Sequence, residues 1–97
     1  MRVISVKRLR EFWEIHPDAE QPLRIWYRDV RRSNWNTTAD IKRSYATASF
    51  LPGNRVVFNI KGNNYRLIIV VFYKGGIVYI RFIGTHKEYD RIDPTTI

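Results

Sequence analysis

The chain has 97 residues, enough for one domain and too few for two, and its 44% apolar and 27% charged content describes a globular rather than a disordered protein. Seventeen Lys and Arg against nine Asp and Glu leave a net charge of +8, with a pI near 10.2. That balance points to a polyanionic partner, nucleic acid ahead of an acidic protein or an anionic membrane surface. The lack of cysteine excludes disulfides, thiolate metal sites and thiol nucleophiles, and two histidines, His16 and His86, are too few for a His-rich zinc site.

The basic start MRVISVKRLREFW is followed by no apolar run, so it does not read as a secretory signal. The longest apolar stretch, Leu67–Tyr73, is too short to cross a bilayer. A cytoplasmic protein is expected, with residues 1–97 forming a single domain.

Residues 6–48 follow a helical rhythm and residues 55–85 alternate. Met1–Ser5 reads as a short opening strand with Val3 inward. Ser5 is a candidate N-cap for a helix through about Ile15, with Val6, Leu9, Phe12 and Trp13 on one face, ended by Pro17. Asp18-x-x-Gln21 reads as a capping arrangement for a second helix, whose apolar stripe is Leu23, Trp26, Tyr27 and Val30. Lys7, Arg8, Arg10, Arg24, Arg28, Arg31 and Arg32 occupy the opposite faces. A turn at Ser33–Thr37, a weaker helix at Thr38–Ala46 and a turn at Leu51–Asn54 follow. Strands are then expected at Arg55–Ile60, Tyr65–Tyr73 and Ile77–Thr85, joined as hairpins through Lys61-Gly62-Asn63-Asn64 and Lys74-Gly75-Gly76. The fold class is α+β, an antiparallel sheet in the order β-α-α-β-β-β with two to three N-terminal helices packed on one face.

Strict alternation sorts the strand residues into two faces. One collects Val56, Phe58, Ile60, Tyr65, Leu67, Ile69, Val71, Tyr73, Val78, Ile80 and Phe82, and faces the helices. The other mixes Arg55, Asn59, Lys61, Arg66 and Arg81 with apolar residues including Ile83, and reads as an accessible surface. With Gly75-Gly76 at the turn, Arg81 would oppose Val70 and Arg66 would oppose Thr85. The two arginines would then approach the point where His86, Tyr89 and Asp90 leave the sheet, with Cα atoms on the order of 10–15 Å apart.

Such a set suits metal-free RNA cleavage. A base takes the ribose 2′-OH proton, the oxygen attacks phosphorus, and an acid protonates the departing 5′-oxygen. Guanidinium groups match the negative charge that gathers on the phosphoryl oxygens. Histidine can serve as acid or base near neutral pH, and tyrosine can exchange a proton or stack on a base. The bland alternative is a pair of solvated strand arginines. His16 reads as a helix-end residue, Trp13 and Trp26 as core, and Trp35 in the polar SNWNTT loop leaves packing and partner stacking both open.

Three segments, REFWEIHPDAEQPLRIWY, VFNIKGNNYRLIIVVFY and YIRFIGTHKEYD, resemble the HigB-type toxins of the RelE superfamily, over nearly the whole chain from Val3 to Arg91. The resemblance implies a toxin–antitoxin mRNA interferase with a RelE-like fold, associated with the ribosome. It also implies a HigA-type helix-turn-helix antitoxin, with operator DNA reached only through that antitoxin. Carried onto this sequence, it assigns catalytic roles to Arg66, Arg81, His86, Tyr89 and Asp90. His86 is the leading proton-transfer group, Tyr89 the second, for acid–base work or stacking, and Asp90 either orients His86 or caps the chain end. RNA contacts are expected from Arg55, Asn59, Lys61, Asn63, Lys87 and Arg91. No cofactor, metal or membrane is called for. The rival reading is a non-catalytic RNA- or ribosome-binding basic module, which would tolerate loss of His86 or Tyr89.

Overall fold

The computed structural model describes all 97 residues. In chain order the elements are β1 (Arg2–Ile4), α1 (Lys7–Ile15), a 3-10 turn (Pro17–Ala19), α2 (Glu20–Arg32), α3 (Thr38–Ser44), β2 (Ser49–Leu51), β3 (Arg55–Ile60), β4 (Tyr65–Phe72), β5 (Ile77–Thr85) and α4 (His86–Asp90). The five strands form one sheet in the order β1-β5-β4-β3-β2. β2 to β5 run antiparallel, but β1 lies parallel to β5, with Val3 opposite Val78. The sheet is therefore mixed, not wholly antiparallel as expected. The chain leaves β1, lays α1 and α2 across the sheet and returns through β2, so the first strand meets the last in the same direction.

The helical stripe does what its spacing predicts. Leu9 and Phe12 of α1, and Leu23, Trp26 and Val30 of α2, are buried against Val56, Phe58, Leu67, Ile69, Val71, Val78 and Ile80 of the sheet. Each fully buried aliphatic or Phe side chain contributes about 1.5–3 kcal/mol relative to exposure. Trp35 belongs to this core: it is 3% exposed, stacks on Phe58 with centroids 6.3 Å apart and meets the edge of Tyr45. Its polar neighbours face outward while the indole turns in, which rules out a free stacking platform. The loop that carries it is closed by a capping box in which Thr37 and Asp40 satisfy each other's backbone.

Two caps differ from expectation. Ser5 has φ of 73°, and Val6 precedes α1 without a side-chain cap. Asp18 caps nothing, because its carboxylate is taken by Tyr65 and Lys61 across the fold.

The face assignment fails at one point. β4 and β5 carry a bulge: Leu67 pairs with Ile83 and Ile68 with Phe82, but Ile69 pairs with Ile80, leaving Arg81 as the extra residue. One inserted residue reverses the alternation beyond it. Phe82 consequently joins Val57 and Ile68 on the outer face, and Ile83 joins Leu67 against the helices. The pairing also moves, so that Val70 opposes Tyr79 and Arg66 opposes Gly84, because Phe72 pairs with Ile77 around a longer turn. Nor is the outer face bare. Val57 and Ile68 are 5% and 0% exposed, α4 packs on β4 and β5, and Arg55 donates from Nε and Nη2 to the Ile97 carbonyl at 3.1 and 2.9 Å.

Candidate active site

α4 is the element on which the site is built. Thr85 caps it: the Glu88 backbone N–H donates to Thr85 Oγ1 at 3.2 Å, and Glu88 Oε1 accepts from the Thr85 N–H at 2.8 Å. That backbone bond holds the Glu88 carboxyl below its usual range. Gly84 permits the approach of the helix, since a Cβ there would stand 2.5 Å from the Phe82 ring and 3.2 Å from Glu88 Cβ. A second anchor is the bond from the His86 N–H to the Asn64 carbonyl, 3.3 Å.

Helical spacing puts His86, Tyr89 and Asp90 on one face of α4. His86 Nδ1 lies 3.0 Å from Asp90 Oδ2, both side chains more than half exposed. The carboxylate accepts from Nδ1–H, which fixes the tautomer and leaves Nε2 free. Arg66, on β4 opposite Gly84, extends its guanidinium to 5.9 Å from the Tyr89 ring centroid. Nη1 donates to the carbonyls of Asn63, at 2.9 Å, and Tyr65, at 3.3 Å. No carboxylate neutralises it. Arg66, His86, Tyr89 and Asp90 thus come together as one group.

Arg81 stands apart as the bulge residue, about one strand over and two to three residues along, on the order of 10 Å from Arg66 by Cα. Its carbonyl accepts from Arg8 Nη1 at 2.8 Å, while its own exposed guanidinium makes no hydrogen bond or ion pair. Asn59 sits directly opposite Arg66 and borders the group. Asn63 contributes its carbonyl to Arg66, and Lys87 and Arg91 are exposed on and just after α4. Arg55, four pairs along the β3–β4 ladder from Arg66, is occupied by the Ile97 carbonyl.

Lys61 does not join Arg66. It lies in the left-handed region at φ 51°, a conformation costing a non-glycine residue roughly 1–2 kcal/mol, and Gly62 follows at φ 63°. Its Nζ pairs with Asp18 Oδ2 at 3.3 Å. The Tyr65 hydroxyl donates to the other oxygen of Asp18. This bond above all, then Lys61, holds the Asp18 carboxyl below its usual range, and the same bond to Asp18, with burial, pushes the Tyr65 hydroxyl up. His16 completes the cluster, stacked on Phe12 with centroids 4.5 Å apart and 5.4 Å from the Tyr65 ring. In the sequence His16 and Asp18 both read as helix-end residues. Nothing local marks Asp18 otherwise, because its partners Lys61 and Tyr65 lie across the fold, in the turn between β3 and β4 and at the start of β4. No three ligating side chains among His, Asp and Glu gather anywhere in the chain, and no helix is long and apolar enough to cross a membrane.

A family model described as the HigB toxin, a RelE-like toxic component of a toxin-antitoxin system, matches residues 19–92. The chain belongs to the HigB toxin family. It is similar to the mRNA interferase toxin HigB of Escherichia coli (strain K12), 27% identical over 92 residues that cover 93% of this chain and 88% of the relative. The mRNA interferase HigB of Shigella flexneri matches to the same extent. That of Escherichia coli O6:H1 (strain CFT073) is 23% identical over 94 residues, 95% of this chain and 91% of its own. The HigB-matched span includes Arg66, Arg81, His86, Tyr89 and Asp90, and begins just after Asp18.

Proposed function

We propose that this HigB-family chain is an endoribonuclease that cuts mRNA by attack of the ribose 2′-OH on the adjacent phosphodiester, without a metal ion. The observation that carries the reading is the convergence of an unneutralised guanidinium, Arg66, with Tyr89 and with a histidine whose tautomer is fixed by Asp90. The printed activity of the relatives, mRNA interferase, is consistent with it.

Each residue then has a task. His86 Nε2 exchanges a proton with the reacting oxygens and Asp90 keeps the imidazole in register. Arg66 binds a non-bridging phosphoryl oxygen, where charge grows as the 2′-oxygen attacks. Tyr89 stacks on a base or exchanges the second proton. The 2′-oxygen bonds to phosphorus, the P–O5′ bond breaks, and the products are a 2′,3′-cyclic phosphate and a 5′-hydroxyl end. Arg81 holds the next phosphate along the strand. Asn59, Asn63, Lys87 and Arg91 border the path of the RNA, which runs on the ribosome, and a HigA-type antitoxin opposes the toxin in the cell.

The test is induced expression of wild type beside His86→Ala and Arg66→Ala, with mRNA 5′-ends mapped. Growth arrest with new 5′-hydroxyl ends that vanish in both variants supports the reading. Arrest that persists in both variants without cleavage would instead favour a binder that blocks translation.

A further inference from the structure

We infer that Asp18 is a positioning residue for this site, acting through the Lys61–Asn64 turn on both Arg66 and His86. The consequence for activity rests on the nuclease reading above; the consequence for geometry does not.

The turn is a hub. It is closed by the Asn64 N–H donating to the Lys61 carbonyl at 3.2 Å. Two of its carbonyls are directed outward to the site: that of Asn63 accepts from Arg66 Nη1 at 2.9 Å, and that of Asn64 accepts from the His86 N–H at 3.3 Å. Any rotation of the turn therefore moves the phosphate-binding guanidinium and the first residue of α4 together. The turn alone is poorly suited to hold still, since Lys61 and Gly62 are both left-handed and Gly62, Asn63 and Asn64 are exposed.

Asp18 supplies the missing constraint. One carboxylate oxygen takes Lys61 Nζ, the first residue of the turn, and the other takes the Tyr65 hydroxyl, the residue just after it. Both ends of the turn are gripped by a single side chain. That side chain is itself well founded, because it projects from the Pro17–Ala19 turn, whose Ala19 is fully buried. It has no competing role as a helix cap. The carboxylate is nearly half exposed, so neutralising it leaves the core beneath untouched.

The experiment compares wild type, Asp18→Asn, Asp18→Glu and a control at an exposed ion pair, Glu11→Gln. Amide NMR spectra and hydrogen exchange are read alongside single-turnover cleavage of an RNA substrate. Asp18→Asn should shift the amides of residues 62–64 and speed exchange at the His86 amide, with the Trp26 amide unmoved. The cleavage rate should fall on the order of 100-fold with KM unchanged, Asp18→Glu should recover part of the loss, and Glu11→Gln should match wild type. Unchanged His86 exchange together with an unchanged rate would overturn the inference. If Asp18→Asn does not fold, Lys61→Gln cuts the same tether from the other side with the same readouts. If wild type cleaves nothing, the nuclease reading falls, and the amide data alone decide whether Asp18 positions the turn.

Discussion

Arg66 holds its guanidinium over the ring of Tyr89 while donating to the carbonyls of Asn63 and Tyr65. Carbonyls orient the cation without cancelling its charge, and an aromatic face is less strongly hydrated than water-exposed backbone. The result is an oriented, unneutralised cation over the Tyr89 ring of α4, the helix that also carries His86, which is the arrangement the proposed phosphodiester cleavage calls for.

Arg66→Lys is therefore not conservative. It keeps the charge but loses the planar fork and its fit over Tyr89, and the single-turnover rate should fall on the order of 10²–10³-fold. Quench measurements on a short RNA would check it, with recovery to within a few per cent of wild type counting against the assigned role.

His86→Ala should lower the rate by roughly 10²–10⁴-fold. Asp90→Asn should cost less, because the imidazole remains and loses only its orienting carboxylate. A substrate with deoxyribose at the cleaved nucleotide should stay intact in the presence of wild-type protein; scission of that substrate would exclude 2′-OH attack.

Arg81 is expected to bind a phosphate outside the reacting group. Arg81→Ala should reduce the magnitude of the slope of log K against log salt for single-stranded RNA by about 0.7, measured by fluorescence anisotropy. An unchanged slope would show that the bulge directs this arginine elsewhere.

Trp35→Ala should destabilise the protein by about 3–5 kcal/mol in denaturant unfolding, since it empties a stacked position against Phe58. A loss below about 1 kcal/mol, as for an ordinary surface substitution, would contradict the burial.

Acid stability should depend on Asp18. Its folded-state carboxyl titrates below the usual value of 3.8, so the unfolded chain binds the proton first as the pH falls. The stability it contributes is present above that value and is lost below it, as the pH falls through the folded-state value. Tyr65 has the opposite sense: its hydroxyl is raised above 10.0, so its contribution is present below that pH and fades above it. Tyr65→Phe should flatten both limbs of a stability–pH curve, and a curve that superimposes on wild type would refute the pairing.

Much of the fold is legible in the residues. Arg55–Ile60 and Ile77–Thr85 begin and end where alternation and turn chemistry say, and the α2 stripe buries Leu23, Trp26 and Val30 while Tyr27 stays half-buried at its margin. What escapes is non-local. RFIG has no mark of a bulge, because a bulge is a mismatch between two strands, so Phe82 and Ile83 are assigned to the wrong faces. The three residues of β2 carry too short a pattern to read. Asp18 shares the composition of a cap, and only the arrival of Lys61 and Tyr65 gives it another use. In the site, the THKEYD segment marks His86, Tyr89 and Asp90 as a group, but neither the five-residue helix that aligns them nor the capture of Lys61 by Asp18 is expected from the sequence.

The pairing of β1 with β5 has a consequence for synthesis. Strands from opposite ends of the chain are neighbours, and α4, at five residues, is too short to persist without the sheet beneath it. A growing polypeptide thus cannot bring Arg66, His86, Tyr89 and Asp90 together until β5 and α4 have both emerged and the sheet beneath them has closed.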